Sequence, residues 1–166
     1  MSTENIIAQA KGEGRKSLDE ASGKKILAAY GLMVPQSAIV AGPDDVANAV
    51  TALTPPFAVK VMSPEILHKS DAGGVAIGLT SAEVAADAIR TMLAIPIIRD
   101  SVRDGFLIEE MASAGQEVVI GAVRDPQFGP MIMVGLGGIF VEVLADVAFR
   151  LCPITARDAR AMLSEL

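Results

Sequence analysis

The chain has 166 residues, of which 51% are hydrophobic and 20% are charged, and its formal net charge is -6. This length and hydrophobic content indicate a folded chain of one domain or two small lobes, and they argue against disorder. The negative charge leaves no general basic surface, which argues against non-specific binding to nucleic acid or to an anionic membrane. Any phosphate-binding site must therefore be local.

The cellular location is predicted from the N-terminus, the hydropathy and the cysteine content. The first residues are polar and acidic rather than a basic segment that leads into an apolar run, so the sequence predicts no signal peptide. No apolar run approaches the roughly 20 residues that a membrane-spanning helix needs. Cys152 is the sole cysteine, which excludes an internal disulfide and fits a reducing compartment. We therefore predict a cytoplasmic protein that binds neither nucleic acid nor membrane.

The first half of the chain alternates helices and strands. Residues 1–17 are polar and contain two glycines, so we expect a loosely held arm. A helix follows, with Asp19 or Ser17 as its cap and Gly31 as its stop. The next segments have the patterns of a strand, a helix, a strand, a strand and a helix, in that order: 37–40, 45–53, 57–60, 75–79 and 84–93. This order predicts an α/β lobe whose sheet is covered on one face.

The second half is richer in strands. The interval 95–103 contains a proline and mixed charge, and it is the best boundary within the chain. Four strands are predicted beyond it, at 105–111, 116–124, 131–136 and 141–151, with a turn cluster at 125–130 between the second and the third. Thr155 should cap a last amphipathic helix over 156–166.

The stretch around which the chain is organised is 57–79, with the sequence FAVKVMSPEILHKSDAGGVAIGL. An apolar strand brings in Lys60, a polar loop then carries His68, the only histidine, and the loop ends on Gly73 and Gly74. Backbone N–H groups made accessible by glycine, together with lysine and histidine side chains, are what a nucleoside triphosphate requires. We interpret the stretch as a phosphate-handling loop.

Each of these residues also has an ordinary structural explanation. Lys60 could be an exposed strand lysine, and Lys24 could be a charge on a helix surface. His68 could be a loop histidine that only makes a hydrogen bond, although an imidazole can also accept a phosphoryl group or shuttle a proton. The glycine pair could mark a simple turn.

The carboxylates divide into two groups. Glu109, Glu110 and Glu117 lie in a strand, loop, strand arrangement. In a nucleotide cleft, the backbone just after Glu109 could pair with an adenine edge, and Glu117 could accept hydrogen bonds from ribose hydroxyl groups. Solvent-facing charge is the alternative for all three. Three further carboxylates are interpreted as surface charges rather than metal ligands: Glu142, Asp146 and Asp158.

Four stretches, taken in order, resemble one known family. They are KKILAAYGLMVP (24–35), the stretch 57–79 quoted above, FLIEEMASAGQEVVIGAVRDPQFGPMIMVGLGGIFVEVL (106–144) and DVAFRLCPITARDA (146–159). Together they resemble the ATP-grasp domain of ADP-forming acyl-CoA synthetases, also called ADP-forming acetate–CoA ligases. The resemblance implies an α+β protein with the ATP-grasp fold, in which two α/β lobes surround a nucleotide cleft. It implies an N-terminal arm at 1–17, a first lobe at 18–96, and a second lobe at 97–166 whose C-terminal part is missing.

The resemblance also implies roles for individual residues. Two lysines, Lys24 and Lys60, match lysines that bind the nucleotide. Adenine is implied to lie against a backbone hinge and ribose against an acid, at these positions: Glu109, Met111 and Ala112 for the hinge, and Glu117 for the acid. A mobile segment over the phosphates is implied for Lys69, Ser70, Asp71, Gly73 and Gly74. His68 is implied to be the catalytic residue, which relays phosphate between the nucleotide and a histidine in the CoA-ligase part.

The implied reaction converts acyl-CoA, ADP and phosphate to carboxylate, CoA and ATP, reversibly, through an acyl phosphate and phosphohistidine. The implied cofactors are ATP or ADP and Mg²⁺. The implied partners are the CoA-binding and CoA-ligase domains of the same enzyme, fused or in a separate subunit, and the full enzyme is expected to be an oligomer. The magnesium ligands are expected beyond the position of Leu166. We therefore expect an incomplete ligase domain that does not complete turnover alone.

Two other functions stay open. One is a non-catalytic nucleotide-binding or regulatory ATP-grasp module, as in proteins that fuse this region to a protein acetyltransferase. The other is an ATP-grasp carboxylate–amine ligase. His68, Lys69, Asp71 and the glycine pair favour the synthetase, because a scaffold needs none of them and a carboxylate–amine ligase gives no reason for a loop histidine.

Overall fold

The computed structural model describes residues 2–66, 68–137 and 147–166, and the chain divides into two compact units, Met1–Ala112 and Ser113–Leu166. The first unit contains α1 (Thr3–Gly12), α2 (Glu20–Ala29), β1 (Ser37–Val40), a 3₁₀ turn (Pro43–Asp45), α3 (Val46–Ala49), β2 (Phe57–Met62), β3 (Val75–Leu79), α4 (Ala82–Ala94), α5 (Pro96–Arg99) and β4 (Gly105–Glu110). The second unit contains β5 (Val118–Asp125), β6 (Gly129–Leu136), β7 (Val147–Leu151) and α6 (Ala156–Ser164). All strand pairs within these described ranges are antiparallel, which confirms the α+β class. None of the helices in these ranges combines the length and the apolar character that a membrane crossing would need.

The sheet of the first unit has the strand order β1-β4-β2-β3. Because β4 lies between β1 and β2, both of its edges are hydrogen-bonded. Phe106 and Ile108 of β4 pack into the large apolar core with Ile89 of α4, and all three side chains are fully buried. Side chains alternate along a strand, so Leu107 and Glu109 face the opposite side of the sheet.

The helix α2 covers part of that opposite face. Its Ala21 forms a small buried cluster with Met62 of β2 and Leu107 of β4. The prediction that the sheet is covered on one face is therefore wrong, because α2 packs on the face that α4 leaves open. By the same alternation, Lys60 of β2 and Glu109 of β4 lie on the α2 side of the sheet.

The helix caps predicted at Asp19 and Thr155 are confirmed, and the helix predicted over 84–93 begins at Ala82. Asp19, Ser81 and Thr155 each cap a helix, and each side chain accepts a hydrogen bond from the backbone N–H three residues further on, at 2.9, 3.2 and 3.3 Å. Such caps satisfy N–H groups of the first helical turn that have no partner inside the helix. The helix predicted over 45–53 is shorter, because only the 3₁₀ turn and α3 form there.

The N-terminal residues do not form the expected loose arm. They fold into α1, whose Ile6 is buried. Arg15, which follows α1, binds both carboxylate oxygens of Asp104 at 2.7 and 2.9 Å. The N-terminal segment is thus anchored by a buried apolar side chain and by a bidentate ion pair with a distant residue. Its polar composition alone gave no sign of this order.

The first compact unit extends to Ala112, beyond the boundary predicted between 96 and 97. The interval 95–103 includes α5, whose Ile98 is completely buried in the core of this unit. The next element, β4, pairs with β1 and β2. The boundary of the first unit is set by strand pairing between residues distant in the sequence, and Pro96 does not mark it.

The second unit is a sheet with the strand order β5-β6-β7, and α6 packs against it. The predicted turn cluster 125–130 is confirmed, because Asp125 accepts hydrogen bonds from the N–H groups of the second and third residues after it, both at 2.8 Å. The strand predicted over 141–151 is seen at 147–151. The remainder of that prediction, with Glu142 and Asp146, lies outside the described residues.

Candidate functional site

Three lysines meet two carboxylates on the α2 side of the first sheet. Lys60 Nζ lies 2.6 Å from Glu20 Oε1 and 2.6 Å from Glu109 Oε1. Lys69 Nζ lies 3.0 Å from Glu20 Oε2, and Lys24 Nζ lies 3.2 Å from Glu20 Oε1. These five residues are termed the lysine cluster. Their convergence shows that Lys24 and Lys60 are not ordinary surface lysines.

Glu109 is the most buried member of the cluster, with 7% of its side chain exposed. Its Oε2 atom contacts Lys24 Nζ but has no aligned hydrogen-bond partner among the described residues, so this contact is an ion pair only. A buried carboxylate that loses its paired cations is costly, on the order of 3–5 kcal/mol. Lys24 and Lys60 are the cations that offset this cost for Glu109.

Two kinds of contact bring these side chains together: one within a helix, between residues close in sequence, and one between adjacent strands. Glu20 and Lys24 are four residues apart on α2, a spacing that places them on one face of a helix. In the β2–β4 ladder, Lys60 is paired with Leu107, and Glu109 is two residues further along the same face of β4. Lys60 and Glu109 are thus diagonal neighbours on adjacent strands, within reach of a long side chain.

The charges shift the protonation equilibria of the cluster. Burial would raise the pKa of Glu20, but hydrogen bonds from Lys60 and Lys69 outweigh burial and lower this pKa to about 2. Burial lowers the pKa of Lys24, an effect that Glu20 opposes and Lys60 reinforces. Counted as ionised groups, three cations face two anions, so the cluster has an excess of one positive charge.

His68 lies in the loop between β2 and β3 and is exposed. Within the described part of the chain its ring makes no hydrogen bond, and its catalytic role stays a prediction. Lys69, the next residue, donates a hydrogen bond to Glu20 Oε2 at 3.0 Å. The loop therefore presents an accessible imidazole directly beside a member of the lysine cluster.

The backbone N–H groups of the glycine pair are engaged within the loop, and the role of the pair over the phosphates stays a prediction. The N–H groups of Gly73 and Gly74 donate to the backbone carbonyl groups of Ser70 and Lys69, at 3.1 and 2.7 Å. These donors close tight turns, so in this conformation they are engaged and do not point to a phosphate. The loop contributes the side chain of Lys69 to the cluster, while Ser70 and Asp71 are exposed. Their role over the phosphates stays a prediction.

The predicted adenine hinge is partly occupied by the sheet. Glu109 is paired on both edges of β4, and the N–H groups of Glu110 and Met111 donate to backbone carbonyl groups of preceding segments at 3.0 and 3.1 Å. Glu109 thus contributes its side chain to the cluster, whereas its backbone belongs to the sheet. The roles of Met111 and Ala112 beside adenine stay predictions.

Two predictions concern groups outside the cluster. Glu117 belongs to the second unit and is exposed, and its backbone carbonyl accepts a hydrogen bond from Gly137 at 2.8 Å. Its role at ribose stays a prediction. In residues 2–66, 68–137 and 147–166, no group of three or more His, Cys, Asp or Glu side chains could hold a metal ion. Mg²⁺ is commonly held by one or two carboxylates together with substrate phosphates, so its ligands stay a prediction.

Sequence reasoning missed Glu20, although it contacts all three lysines of the cluster. The available signal was its position directly after the helix cap Asp19 and four residues before Lys24. That spacing indicates an ion pair on one helix face. The contacts with Lys60 and Lys69 depend on tertiary packing and leave no such signal.

Known proteins resemble this chain over almost its whole length. A family model described as an ATP-grasp domain matches residues 9–166. The beta subunit of ADP-forming acetate–CoA ligase I from Pyrococcus furiosus is 44% identical over 163 residues, which are 97% of this chain and 70% of that subunit. The ADP-forming 4-hydroxybutyrate–CoA ligase of Nitrosopumilus maritimus is 40% identical over 163 residues, which are 97% of this chain but 23% of that enzyme.

A solved structure gives the same result in three dimensions. The dinucleotide-forming acetyl-coenzyme A synthetase 1 of Ca. Korarchaeum cryptofilum superposes with a TM-score of 0.82 and 37% sequence identity, over 99% of this chain and 71% of that one. That structure holds coenzyme A and Mg-AMPPCP, and its phosphohistidine segment points towards the nucleotide binding site.

The loop conformation predicts the effect of a substitution at Gly74. A Cβ atom there would lie 2.4 Å from Val61 Cγ1, a buried and branched side chain that cannot rotate away. Gly74→Ala should lower the free energy of unfolding by about 1–3 kcal/mol, as other overpacked sites do. Gly115→Ala is the control, because a Cβ there meets nothing within 4 Å. Urea denaturation of both variants measures the difference, and equal stabilities would contradict the tight turn.

The lowered pKa of Glu20 predicts how stability depends on pH. Because the folded-state pKa is about 2 and the ordinary value is 4.5, the stabilisation from the Glu20 carboxylate is present above pH 4.5 and is lost as the pH falls towards 2. Glu20→Gln should therefore be less stable than the wild type at pH 7, and the difference should shrink below pH 4.5. Thermal unfolding at pH 7, 4.5 and 3 measures this.

The control for that experiment is Glu83→Gln. Glu83 is an exposed glutamate in the first turn of α4, as Glu20 is in the first turn of α2. Both variants lose an acid near a helix N-terminus, but only Glu20 joins the lysine cluster. A pH-dependent loss of stability of the same size in both variants would mean that the lysine cluster does not contribute to the stability of the fold.

Proposed function

The chain belongs to the ATP-grasp family, and on that premise we propose that it is the nucleotide-binding and phosphoryl-transfer domain of an ADP-forming acyl-CoA synthetase. The resemblance and the ATP-grasp fold predicted from the sequence are confirmed by the family match over 9–166 and by the superposition on solved structures. The observation that carries the proposal is the lysine cluster, with the exposed His68 beside its member Lys69.

The lysines provide what phosphoryl transfer asks of a protein. The transferred group carries negative charge, and catalysis consists mainly of positioning it and neutralising that charge. The side chains of Lys24, Lys60 and Lys69 are only 18%, 24% and 23% exposed. Cations that are partly removed from water attract an anion more strongly than fully hydrated ones. Magnesium would arrive bound to the nucleotide phosphates and would shield part of their charge.

His68 is proposed as the acceptor of the phosphoryl group. The unprotonated ring nitrogen attacks the γ-phosphorus of ATP, and an N–P bond forms while the bond from that phosphorus to the bridging oxygen breaks. ADP leaves with the electron pair, and the other ring nitrogen keeps its hydrogen. In the reverse direction ADP attacks the phosphohistidine and ATP forms. The exposure of His68 fits a group that must also meet a second histidine.

The remaining chemistry is proposed to belong to partner domains. Relatives carry the matching region either in a subunit of which it is 70% or in a much longer chain of which it is 23%. We propose that CoA binding and acyl-phosphate formation take place in such a partner, which exchanges phosphate with His68. Acyl-CoA, ADP and phosphate are thereby converted to carboxylate, CoA and ATP. An oligomeric enzyme and a cytoplasmic location stay predictions.

The test of the proposed function is labelling of the chain by γ-labelled ATP with Mg²⁺. The wild type should take up label that is labile in acid and stable in base, the signature of phosphohistidine. His68→Asn, which removes the nucleophile and keeps a polar side chain of similar size, should show only background label. Label that survives in the variant would place the acceptor elsewhere and contradict the assignment of His68.

The same experiment separates the alternative function. A non-catalytic nucleotide-binding module would bind ATP but take up no label. Repeating the assay with the partner domains present, or with a longer version of the chain, tests whether missing parts limit the transfer. Nucleotide binding without label in every version would favour the non-catalytic module over the synthetase.

Substitutions of three lysines, two inside the lysine cluster and one outside it, provide a matched test of the binding site. Lys60→Ala and Lys24→Ala each remove a cation from the cluster, and each should weaken ATP binding by about 10- to 100-fold, as expected for the loss of a charged hydrogen bond. Lys25→Ala removes an exposed lysine from the adjacent position on α2 and should change the affinity little. Isothermal titration measures all three, with thermal unfolding to confirm that each variant is folded. If all three variants bound ATP with the same affinity, the lysine cluster would not be part of the nucleotide site.

A further inference from the structure

The two carboxylates of the lysine cluster are not equivalent. The side chain of Glu109 is 7% exposed, whereas that of Glu20 is 24% exposed. Glu20 also bridges two cations with aligned hydrogen bonds, from Lys60 at 2.6 Å and from Lys69 at 3.0 Å. Glu109 is thus the buried counter-ion, and Glu20 is the carboxylate that an anion from solvent would encounter.

The fold fixes the position of Glu20. It is the first residue of α2, and the cap Asp19 binds both the N–H and the hydroxyl group of Ser22, at 2.9 and 2.6 Å. The next residue, Ala21, is buried against the sheet. A negative charge is favoured at the N-terminus of a helix. The Glu20 carboxylate is therefore held by the framework at the point where the three lysines meet.

A phosphate group bound by the same lysines would conflict with Glu20. Carboxylate and phosphate oxygens accept the same hydrogen bonds from an ammonium group. A phosphate that contacts both Lys60 and Lys69 would lie within a few ångströms of the carboxylate that already bridges them. Two anions at such a distance repel each other strongly outside bulk water. The two pairings are therefore alternatives.

We propose that Glu20 is an internal competitor of nucleotide phosphate, whose carboxylate exchanges with a phosphate group on Lys60 and Lys69. This inference rests on the proposed function, because it takes the lysine cluster as the phosphate site. The exchange has a second consequence. Lys69 is adjacent to His68, so its release from Glu20 removes a contact that holds the His68 loop to α2. Nucleotide binding and the freedom of the His68 loop are thereby coupled.

The experiment compares the affinities of wild type, Glu20→Gln and Glu83→Gln for adenosine, AMP, ADP and ATP in the presence of Mg²⁺. The gain in affinity from removing a competing anion should increase with the number of phosphate groups on the ligand. Glu20→Gln should bind adenosine like the wild type and bind ATP about fivefold more tightly, as expected for one partly exposed ion pair. Glu83→Gln removes the same charge from an exposed first helical turn, so it controls for the change in net charge. Equal or weaker ATP binding by Glu20→Gln would overturn the proposal and make Glu20 a residue that positions the lysines.

A second measurement uses the wild type, in case Glu20→Gln does not fold. Carbon-detected NMR follows the titration of the Glu20 carboxyl group with and without saturating Mg-ATP. Loss of its lysine partners should raise the pKa of Glu20 on binding, and an unchanged pKa would overturn the proposal.

Tripolyphosphate separates this inference from the proposed function. If the wild type binds no adenine nucleotide but Glu20→Gln binds tripolyphosphate more tightly than the wild type does, the nucleotide function fails and the competition stands. If nucleotide binds and His68 is labelled but Glu20→Gln shows no gain, the function stands and the competition fails. If the wild type binds neither probe, both are overturned.

Discussion

The ion pairing of the buried Glu109 carboxylate is the constraint on which the first unit depends. Glu109 lies in the central strand β4, on the face of the sheet opposite the main core, with 7% of its side chain exposed. A buried, ionised carboxylate is costly unless cations or hydrogen-bond donors lie beside it. Lys60 supplies one from the neighbouring strand, and Lys24 supplies another from α2. The charge of Glu109 therefore holds α2 to the sheet, in addition to the small apolar cluster around Ala21.

The cluster extends this buried pairing to a surface that can do chemistry. Glu20 and Lys69 continue the alternation of charges towards solvent, and the count of charges leaves one positive charge in excess. That local excess exists in a chain whose net charge is -6. An anion-binding site on an acidic protein must be built in this way, because no long-range field of the whole molecule attracts the ligand. The same charges thus stabilise the fold and form the proposed anion-binding site.

The site was only partly predictable, for reasons that differ between residues. The strand and loop context of Lys60 and His68 pointed to phosphate chemistry, and the family motifs added Lys24. The glycine pair suggested backbone donors, but the structure uses those N–H groups to close turns, so lysine side chains carry the positive charge instead. The role of Glu109 beside adenine stays a prediction, and the sequence did not indicate that its side chain pairs with Lys24 and Lys60. A glycine pattern gives flexibility but not direction, and a strand pattern does not show which neighbour a side chain meets.

The features that could be recognised from the sequence alone are local: the helix caps, the turn at Asp125 and the ordered motifs that identify the ATP-grasp family. These depend on residues near one another in the chain, so they can be recognised without knowledge of the fold. Tertiary packing instead sets the boundary of the first unit, the anchoring of the N-terminal helix and the partners of the charges. Glu20 and Lys69 are separated by 49 residues, and Arg15 and Asp104 by 89. Pairs so distant are brought together by strand register and core packing, and no local pattern specifies them.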